Sequence, residues 1–362
     1  MSCLNRMRSM QKWLWIMLKR FVEFWHRESA VRYLGLAIAT SLLTWLLALA
    51  GCSNQNSTNF STPQTIQSSG GSKITVINVG HQNGTPGLNL LKARGLLEKR
   101  LEPQGIQVKW FEFKAGPPMM EAMAAGSVDI GNVGNLPPIF AQAGGNPIVY
   151  VAATGSNAGA QAVIVPKDSP IQSLADLNGK KVAIQKGTAL QYLALKVLER
   201  AKLTLKDIQP VYLSIPDSTT AFEGRAIDAL PIGDPYLAKK ELANEVKVLV
   251  RGSDVAPQRA YYIATRNFAE QQPALLQAIL EEQRNAEEWA KANPKEVVNL
   301  LAQQTKYDPK AIEYSLEKRP YFGVFDIKDE YVAEQQQVAD LFYQQKLIPK
   351  AIQIKDAIWQ PS

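Results

Sequence analysis

The sequence predicts an α/β protein with two lobes around a ligand cleft. Strand-like apolar segments alternate with helix-like segments twice along the chain, which is typical of sheets covered by helices. The chain has 362 residues and 46% hydrophobic composition, enough to build two cores. Two chain crossings between the repeated units, near residues 155–162 and 252–260, predict a hinge.

The first 52 residues have the order of a secretory signal. Basic residues precede an uncharged apolar run over 33–50, and Gly51-Cys52 and a polar tract to residue 72 follow it. The end of this run, residues 49–52, resembles the lipobox of bacterial lipoproteins. We therefore expect residues 1–52 to be a lipoprotein signal peptide with an extended basic N-region, Cys52 to be lipidated, and residues 53–72 to be a flexible tether.

Residues 1–52 also fit three alternatives. The apolar run approaches the length that spans a bilayer, so it is consistent with an uncleaved anchor. The long N-region is consistent with a translation start at Met7, Met10 or Met17, or with a segment from Trp13 to Trp25 that lies along the membrane surface.

Charge and composition exclude several classes of function. The net charge of +7 comes mostly from residues 1–52, because the remaining chain has 33 basic against 31 acidic residues. We therefore expect no nucleic-acid partner. Both cysteines lie in the first 52 residues and the chain has only two histidines, so disulfides, thiolate chemistry and a histidine-based metal site are not expected. An enzyme would have to work mainly with carboxylates or hydroxyls. We expect no metal, no cofactor and no catalytic residue.

The first lobe begins at Lys73, where the alternation of strands and helices starts. A β-branched strand over 73–79 precedes leucines at helical spacing over 87–101, and a second strand follows at 107–113. Pro117 and Gly126 are typical of the two ends of a helix. A strand over 128–133, a helix from Pro137 and a strand over 148–153 complete the segment. This order predicts a mostly parallel sheet with helices on both faces.

A second unit of the same build follows. Its predicted strands are 161–166, 181–184, 209–213, 229–232 and 246–250, and its predicted helices are 174–179, 188–201 and 216–224. The chain then returns through a strand at 259–265 and mostly helical sequence to residue 345. We expect residues 73–156 and 256–362 to form the first lobe and residues 157–255 the second.

Four strand-to-helix turns are the candidate ligand site. Each places a glycine where a ligand can approach the backbone, and each opens a helix whose first N–H groups are unpaired. Singly, such a turn is more often an ordinary connection, but here the turns recur in both lobes. They predict capture of a small anion by backbone N–H groups at helix N-termini. The expected ligand-binding residues are Gln82, Gly84, Thr85, Gly134, Asn135, Gln185, Gly187, Thr188 and Asp234.

Other polar residues have simpler interpretations. Asn157 and Gln161 lie near a crossing and are candidate additional donors. For His81 we expect a pocket-lining or surface position, and for the cluster Met119, Met120 and Met123 core packing. The glutamates of residues 281–288 are typical of a solvated helix face.

Several segments resemble the aliphatic sulfonate-binding proteins of bacterial ABC importers, within the wider group that captures taurine and nitrate. The segments are GLLEKR (95–100), EFKAGPPMMEAM (112–123), GNLPPIFAQAGG (134–145), VYVA (149–152), DLNGKKVAIQKGT (176–188), DPY (234–236), ADLFYQQKLIP and the IWQP near the end. The resemblance runs from Ile74 to Pro361.

The resemblance implies a type II periplasmic-binding fold and a monomer tethered outside the cytoplasmic membrane. It implies an organic sulfonate as ligand and a membrane permease as partner. Asn135 stands where the family pattern has Asp, and Gly233 stands where it has Trp. Asn135 favours an anion, and Gly233 reshapes the pocket beside the organic tail.

Other functions remain as alternatives. They are a receptor for taurine, nitrate or another small anion, an enzyme of the thiamine-pyrimidine type on the same fold, and a sensor that reports its ligand to a membrane protein.

Overall fold

The computed structural model describes residues 74–82, 86–318 and 323–360. The predicted signal peptide, tether and Cys52 lie outside the described residues, as do Gly84 and Thr85. Within the described ranges, no helix has the length and apolar character needed to cross a bilayer.

The described strands fall into two groups. Those of the first lobe come before and after the second lobe in the sequence, and the others belong to the second lobe. They are β1 (Val76–Gln82), β2 (Gln107–Phe113), β3 (Ile130–Gly134), β4 (Ile148–Ser156), β5 (Gln161–Pro166), β6 (Lys181–Ile184), β7 (Gln209–Tyr212), β8 (Leu230–Gly233), β9 (Val246–Arg251), β10 (Arg259–Thr265) and β11 (Val324–Phe325).

The described α-helices follow most strands and fill the C-terminal third. They are α1 (Gly87–Arg94), α2 (Leu96–Leu101), α3 (Gly116–Ala124), α4 (Leu136–Ala143), α5 (Ala189–Arg200), α6 (Ile215–Glu223), α7 (Tyr236–Leu242), α8 (Arg266–Gln271), α9 (Pro273–Ala292), α10 (Pro294–Thr305), α11 (Pro309–Lys318) and α12 (Asp329–Gln344).

The first lobe contains a sheet in the order β11-β4-β10-β3-β1-β2. β1 pairs in parallel with β2 and β3, whereas β10 is antiparallel to both β3 and β4. The prediction that most strand pairs of this sheet are parallel is therefore wrong. The cause is the chain's return from the second lobe, because β10 inserts between two strands that run the other way.

The second lobe repeats this strand order. β5 is antiparallel to β8 and β9, β6 pairs in parallel with β7, and a parallel bridge joins Val182 to Ala229 just before β8. Through that bridge the order is β7-β6-β8-β5-β9, which matches β2-β1-β3-β10-β4 of the first lobe. The two-lobed α/β architecture predicted from the sequence is confirmed, and the exact lobe boundaries stay a prediction.

The core lies on both faces of each sheet. In β10, Tyr262 packs into one apolar cluster and its neighbours Tyr261 and Ile263 into the other, because successive strand residues point to opposite faces. Met119, Met120 and Met123 of α3 are buried, which confirms that they are core residues.

One predicted helix is divided. The sequence predicts a single helix over 87–101, but Gly95 adopts a left-handed conformation with φ of +59°. This glycine ends α1 and begins α2, as expected where only glycine adopts such a conformation without strain.

The two crossings contact each other through their backbones. The Asn157 N–H donates to the Gln258 carbonyl oxygen at 2.9 Å. A Cβ atom added at Gly252 would lie 2.5 Å from the Ala158 carbonyl oxygen. Glycine at this position therefore lets the crossings approach each other.

We predict that Gly252→Ala lowers the free energy of unfolding by about 1 to 3 kcal/mol, because the new methyl group overlaps a backbone atom that has no rotamer to change. The matched control is Gly224→Ala, whose added Cβ would lie 3.4 Å from the nearest atom at a φ of −79°. Its stability should change by less than about 1 kcal/mol. Urea unfolding of both variants checks this, and equal stabilities would contradict the close crossing.

Candidate functional site

A cavity of about 390 Å³ lies between the two lobes. Residues of β1, β3, β10 and α9 line it from the first lobe, and residues of β5, β8, α6 and α7 from the second. Thr154, Asn157 and Ala160, at the first crossing, line it as well. Its volume is within the range of sites for small organic molecules.

Three of the sequence-predicted site residues line this cavity: Gln82, Gln185 and Asp234. Gln185 is buried, and its side-chain NH2 group donates to the Pro231 carbonyl and the Ser218 hydroxyl, each at 3.0 Å. Asp234 accepts the Ala238 N–H at 3.0 Å, at the start of α7. The cavity is thus formed at the carboxyl ends of β1, β6 and β8, as the strand-to-helix turns predict.

Four other predicted residues do not line the cavity, and two of them lie where the lobes touch. A Cβ added at Gly134 would lie 2.9 Å from Ala189 Cβ, and one at Gly187 would lie 3.0 Å from Pro117 Cγ. Asn135 is buried, and its carbonyl accepts from Gln335 at 2.6 Å. The Thr188 hydroxyl donates to the Gln185 carbonyl at 2.8 Å. Gly134 and Gly187 therefore let the two lobes approach each other, whereas the bonds of Asn135 and Thr188 stay within their own lobes.

The backbone N–H groups of the turns differ in whether another group of the protein already occupies them or a ligand can bind them. The Gly187 N–H is already bonded to Gln191 Oε1 at 2.8 Å, and Asp234 caps α7. By contrast, Pro86 and Gly87 at the start of α1 line the cavity, and α1 has no side-chain cap and no acidic residue in its first turn. The N-terminus of α1 is therefore a candidate anion site at the cavity.

Two carboxamides at the first crossing face the cavity without hydrogen-bond partners in the described chain. The oxygens of Asn157 and Gln161 are fully buried and unpaired, so their NH2 groups are the parts that remain toward the cavity. The sequence identified both residues as candidate donors from their place beside the crossing.

Lys114 is a cavity residue that the sequence patterns did not single out. It follows β2, is exposed, and lines the cavity. Its ammonium forms no hydrogen bond or ion pair with any residue in the described ranges. The other nearby cation, Arg259, is paired with Glu334 through contacts of 2.8 and 3.0 Å. Lys114 therefore supplies positive charge that is available to a ligand.

The second lobe contributes an apolar wall. Leu190, Ile215, Leu230 and Ile232 line this side of the cavity. A Cβ added at Gly233 would meet nothing nearer than the Ala160 carbonyl oxygen at 3.6 Å, so this position leaves space beside the wall. The cavity thus combines polar donors at the crossing with an apolar side.

Side-chain contacts between the lobes close one side of the cavity. Ser315 of α11 donates to Asp234 Oδ2 at 2.7 Å, and the hydroxyls of Tyr307 and Tyr236 lie 3.3 Å apart. The two tyrosine rings meet edge to face. The described conformation is therefore a closed one.

Glu287 contradicts the prediction of a wholly solvated helix face. It lines the cavity and is 4% exposed. Its carboxyl accepts from the Gly323 N–H at 2.8 Å, from Gln283 at 3.0 Å and from the Tyr262 hydroxyl at 3.4 Å. Burial raises the pKa of Glu287, and these donors only partly offset it. The sequence held one signal for the buried position of Glu287, its i, i+4 spacing from Gln283. The charge pattern of the segment did not reveal that position.

His81 is neither exposed nor part of the cavity. It is 1% exposed, and its Nδ1 lies 2.8 Å from Asn89 Oδ1 while Lys92 Nζ lies 3.1 Å from Nε2. Burial, assisted by the Lys92 charge, lowers the pKa of His81. The expected pocket or surface position is wrong, and the imidazole instead supports the start of α1.

The chain is similar to one described family and to several known proteins. The family described as NMT1/THI5 like matches residues 101–297. A protein of Escherichia coli (strain K12) named aliphatic sulfonates-binding protein is 39% identical over 286 residues, which is 79% of this chain and 89% of that protein.

Two solved structures are also similar. One is the periplasmic aliphatic sulphonate binding protein SsuA from Escherichia coli, with 38% identity and a TM-score of 0.74, covering 80% of this chain and 93% of that chain. The other is the alkanesulfonate-binding protein SsuA from Xanthomonas axonopodis pv. citri bound to MOPS, with 32% identity and a TM-score of 0.76, covering 80% of this chain and 99% of that chain.

We predict that rising pH destabilises the ligand-free protein relative to Glu287→Gln. The ordinary pKa is 4.5 and the folded value is raised, so between the two the folded chain holds a proton that the unfolded chain has lost. Stability from this group is therefore lost as pH rises above 4.5. The difference in unfolding free energy, wild type minus variant, should fall by about 1.4 kcal/mol per unit of pKa shift. Urea unfolding at pH 4.5, 6 and 8 measures it, and a constant difference would contradict the buried carboxyl.

Proposed function

The chain belongs to the family of aliphatic sulfonate-binding proteins, and we propose that it captures an organic sulfonate between its lobes and delivers it to an ABC permease. The observation that carries this proposal is a closed cavity in which unpaired donors face an apolar wall. A sulfonate has a permanently negative head group and an organic tail, and these two surfaces match it.

Lys114 and the two carboxamides at the first crossing are proposed to hold the head group. The Lys114 ammonium and the NH2 groups of Asn157 and Gln161 have no competing partners among the described side chains, so binding breaks no internal hydrogen bond. Hydrogen bonds to a charged group contribute about 1.5 to 3 kcal/mol each. The first-turn N–H groups of α1 are proposed to add about 0.3 to 2 kcal/mol through the helix dipole.

The remaining predicted residues are assigned supporting roles in this proposal. Gln82, Gln185 and Asp234 line the cavity, and for Gly84 and Thr85, which follow Gln82 in the sequence, ligand contact stays a prediction. Gly134 and Gly187 are proposed to act through lobe contact, because glycine there lets the lobes close. Asn135 and Thr188 are proposed to hold the turns beside these glycines through their hydrogen bonds. If the lobes have their predicted boundaries, 73–156 with 256–362 and 157–255, the contacts of Gly134 with Ala189 and of Gly187 with Pro117 join one lobe to the other.

Binding without chemical conversion fits the same geometry. His81 is buried outside the cavity, and both cysteines of the chain precede residue 53. The relatives above are named for binding. We therefore assign no catalytic step to the residues of this cavity.

The location follows from the family. The two SsuA relatives are named as periplasmic or as binding proteins, and we propose that this protein works as a monomer on the periplasmic side of the cytoplasmic membrane. Lipidation of Cys52 and a tether over residues 53–72 would keep it beside the permease. Mass spectrometry of the membrane-associated protein tests the anchor through the mass of a lipidated N-terminal peptide.

We predict that alkanesulfonates raise the melting temperature of the purified protein, since a ligand that binds only the folded state stabilises it by mass action. The panel should contain ethanesulfonate, propanesulfonate, MOPS, 2-aminoethanesulfonate, nitrate and sulfate. Stabilisation by nitrate with no effect of any sulfonate would overturn the proposed function.

We predict that Lys114→Gln raises the Kd for the best sulfonate of that panel by about five- to thirty-fold, which corresponds to about 1 to 2 kcal/mol for loss of one charged donor. Lys109→Gln is the matched control, because Lys109 is exposed on β2, the strand that precedes Lys114, and does not line the cavity. Isothermal titration calorimetry gives both Kd values. Equal effects of the two substitutions would show that Lys114 acts only through overall charge.

A further inference from the structure

Asp234 places a carboxylate in the wall of a cavity that is proposed to hold an anion. Neutral donors bind both of its oxygens: Oδ1 accepts the Ala238 N–H at 3.0 Å, and Oδ2 accepts the Ser315 hydroxyl at 2.7 Å. The backbone N–H of Asp234 donates to the Ala160 carbonyl oxygen at 2.9 Å. Asp234 is therefore fixed to α7, to α11 and to the first crossing.

The bond between Asp234 and Ser315 joins the two lobes. α7, which Asp234 caps, packs into an apolar cluster of the second lobe through Leu237. α11, which carries Ser315, packs into an apolar cluster of the first lobe through Ile312 and Leu316. Separation of the lobes therefore breaks this hydrogen bond.

A second contact joins the same two regions. The hydroxyls of Tyr236 and Tyr307 lie 3.3 Å apart, and their ring centroids lie 5.2 Å apart at an interplanar angle of 71°. The void beside them is only about 20 Å³ and is lined by Pro235 and by residues of α10 and α11. This is space for about one water molecule, so the lobes pack closely here. We call Asp234, Tyr236, Tyr307 and Ser315 the latch.

Ser315 differs from the other latch residues because it does not line the cavity. It is 5% exposed, so its substitution changes the contact between the lobes without removing a group from the cavity wall. Glu287, the other carboxylate that lines the cavity, has its described donors in the first lobe. Opening of the lobes therefore does not require the bonds of Glu287 to break.

The latch contacts involve no ligand atom. They therefore favour the closed conformation whether or not the cavity is occupied, and the affinity of a ligand for the closed form depends on how much of the protein is closed. A ligand held between two lobes leaves when the lobes separate. Because separation breaks the latch, the latch slows release.

We propose that the latch sets how long a ligand stays in the cavity, and that Ser315 is a positioning residue that acts through Asp234. The proposal rests on the proposed function, because it concerns release from the same cavity.

The first test measures the two rate constants separately. Surface plasmon resonance with the immobilised protein and propanesulfonate gives both. We expect Ser315→Ala to raise the dissociation rate constant by about three- to ten-fold, the effect of one lost hydrogen bond, and to change the association rate constant by less than about two-fold. Ser127→Ala is the matched control, because Ser127 is exposed in the first lobe and does not line the cavity. Its rate constants should equal those of the wild type.

A second variant separates the latch from the charge of Asp234, which Ser315→Ala would leave freer to repel the sulfonate. In Asp234→Asn the carboxamide oxygen accepts the Ala238 N–H, and the NH2 group donates to the Ser315 hydroxyl, so the lobes stay joined without the charge. We expect Ser315→Ala to raise the dissociation rate constant in this background as well. An effect that disappears in it would overturn the latch.

Hydrogen–deuterium exchange of the protein without ligand tests the latch by itself. Ser315→Ala and Tyr307→Phe, both in the first lobe, should increase exchange in α7 of the other lobe by about three-fold or more, since exchange follows the opening equilibrium. Ser127→Ala and Tyr343→Phe, at exposed positions, should not. Unchanged exchange in α7 would overturn the latch, and Tyr307→Phe decides this even if Ser315→Ala does not fold.

The outcomes separate this proposal from the proposed function. Sulfonate binding with unchanged dissociation in Ser315→Ala would overturn the latch and leave sulfonate capture intact. Absence of binding by every sulfonate would overturn the proposed function, and with it the role of the latch in release. The exchange measurement would then still decide whether these contacts hold the lobes closed.

Discussion

The close contact between the lobes is the constraint on which the cavity depends. Gly134 meets Ala189 and Gly187 meets Pro117 at distances that leave no room for a side chain, so the ends of β3 and β6 can approach each other. The contact brings the turns after β1, β6 and β8 to a common space. Larger residues at these positions would separate the lobes and expose the ligand to water, which weakens electrostatic contacts.

The sequence predicted the fold well because its signals were local. Strands such as β2, β5, β6 and β10 are bounded by the residues that the β-branched runs predict, and prolines and glycines marked the helix ends. The pairing of β10 between β3 and β4 was not predictable in the same way. It depends on where the chain returns after the second lobe, which is a non-local property that no window of residues records.

Of the described residues predicted to bind the ligand, three line the cavity and four do not. Glycine turns identified the correct ends of the strands, and Gln82, Gln185 and Asp234 do line the cavity. Gly134 and Gly187 carry the same turn pattern, yet their turns face the other lobe. Lys114 and Glu287 were missed because an isolated lysine after a strand and a glutamate among glutamates have no distinguishing pattern. Only tertiary packing brings them to one cavity.

Capture of the ligand is proposed to depend on one negative head group held by donors that have no other partner. A crystal structure of the protein with a bound sulfonate tests this most directly. We expect sulfonate oxygens within hydrogen-bond distance of Lys114 Nζ and of the side-chain amides of Asn157 and Gln161. A sulfonate bound outside the cavity between the lobes, or bound inside it without contact to any of these three groups, would contradict this mode of binding.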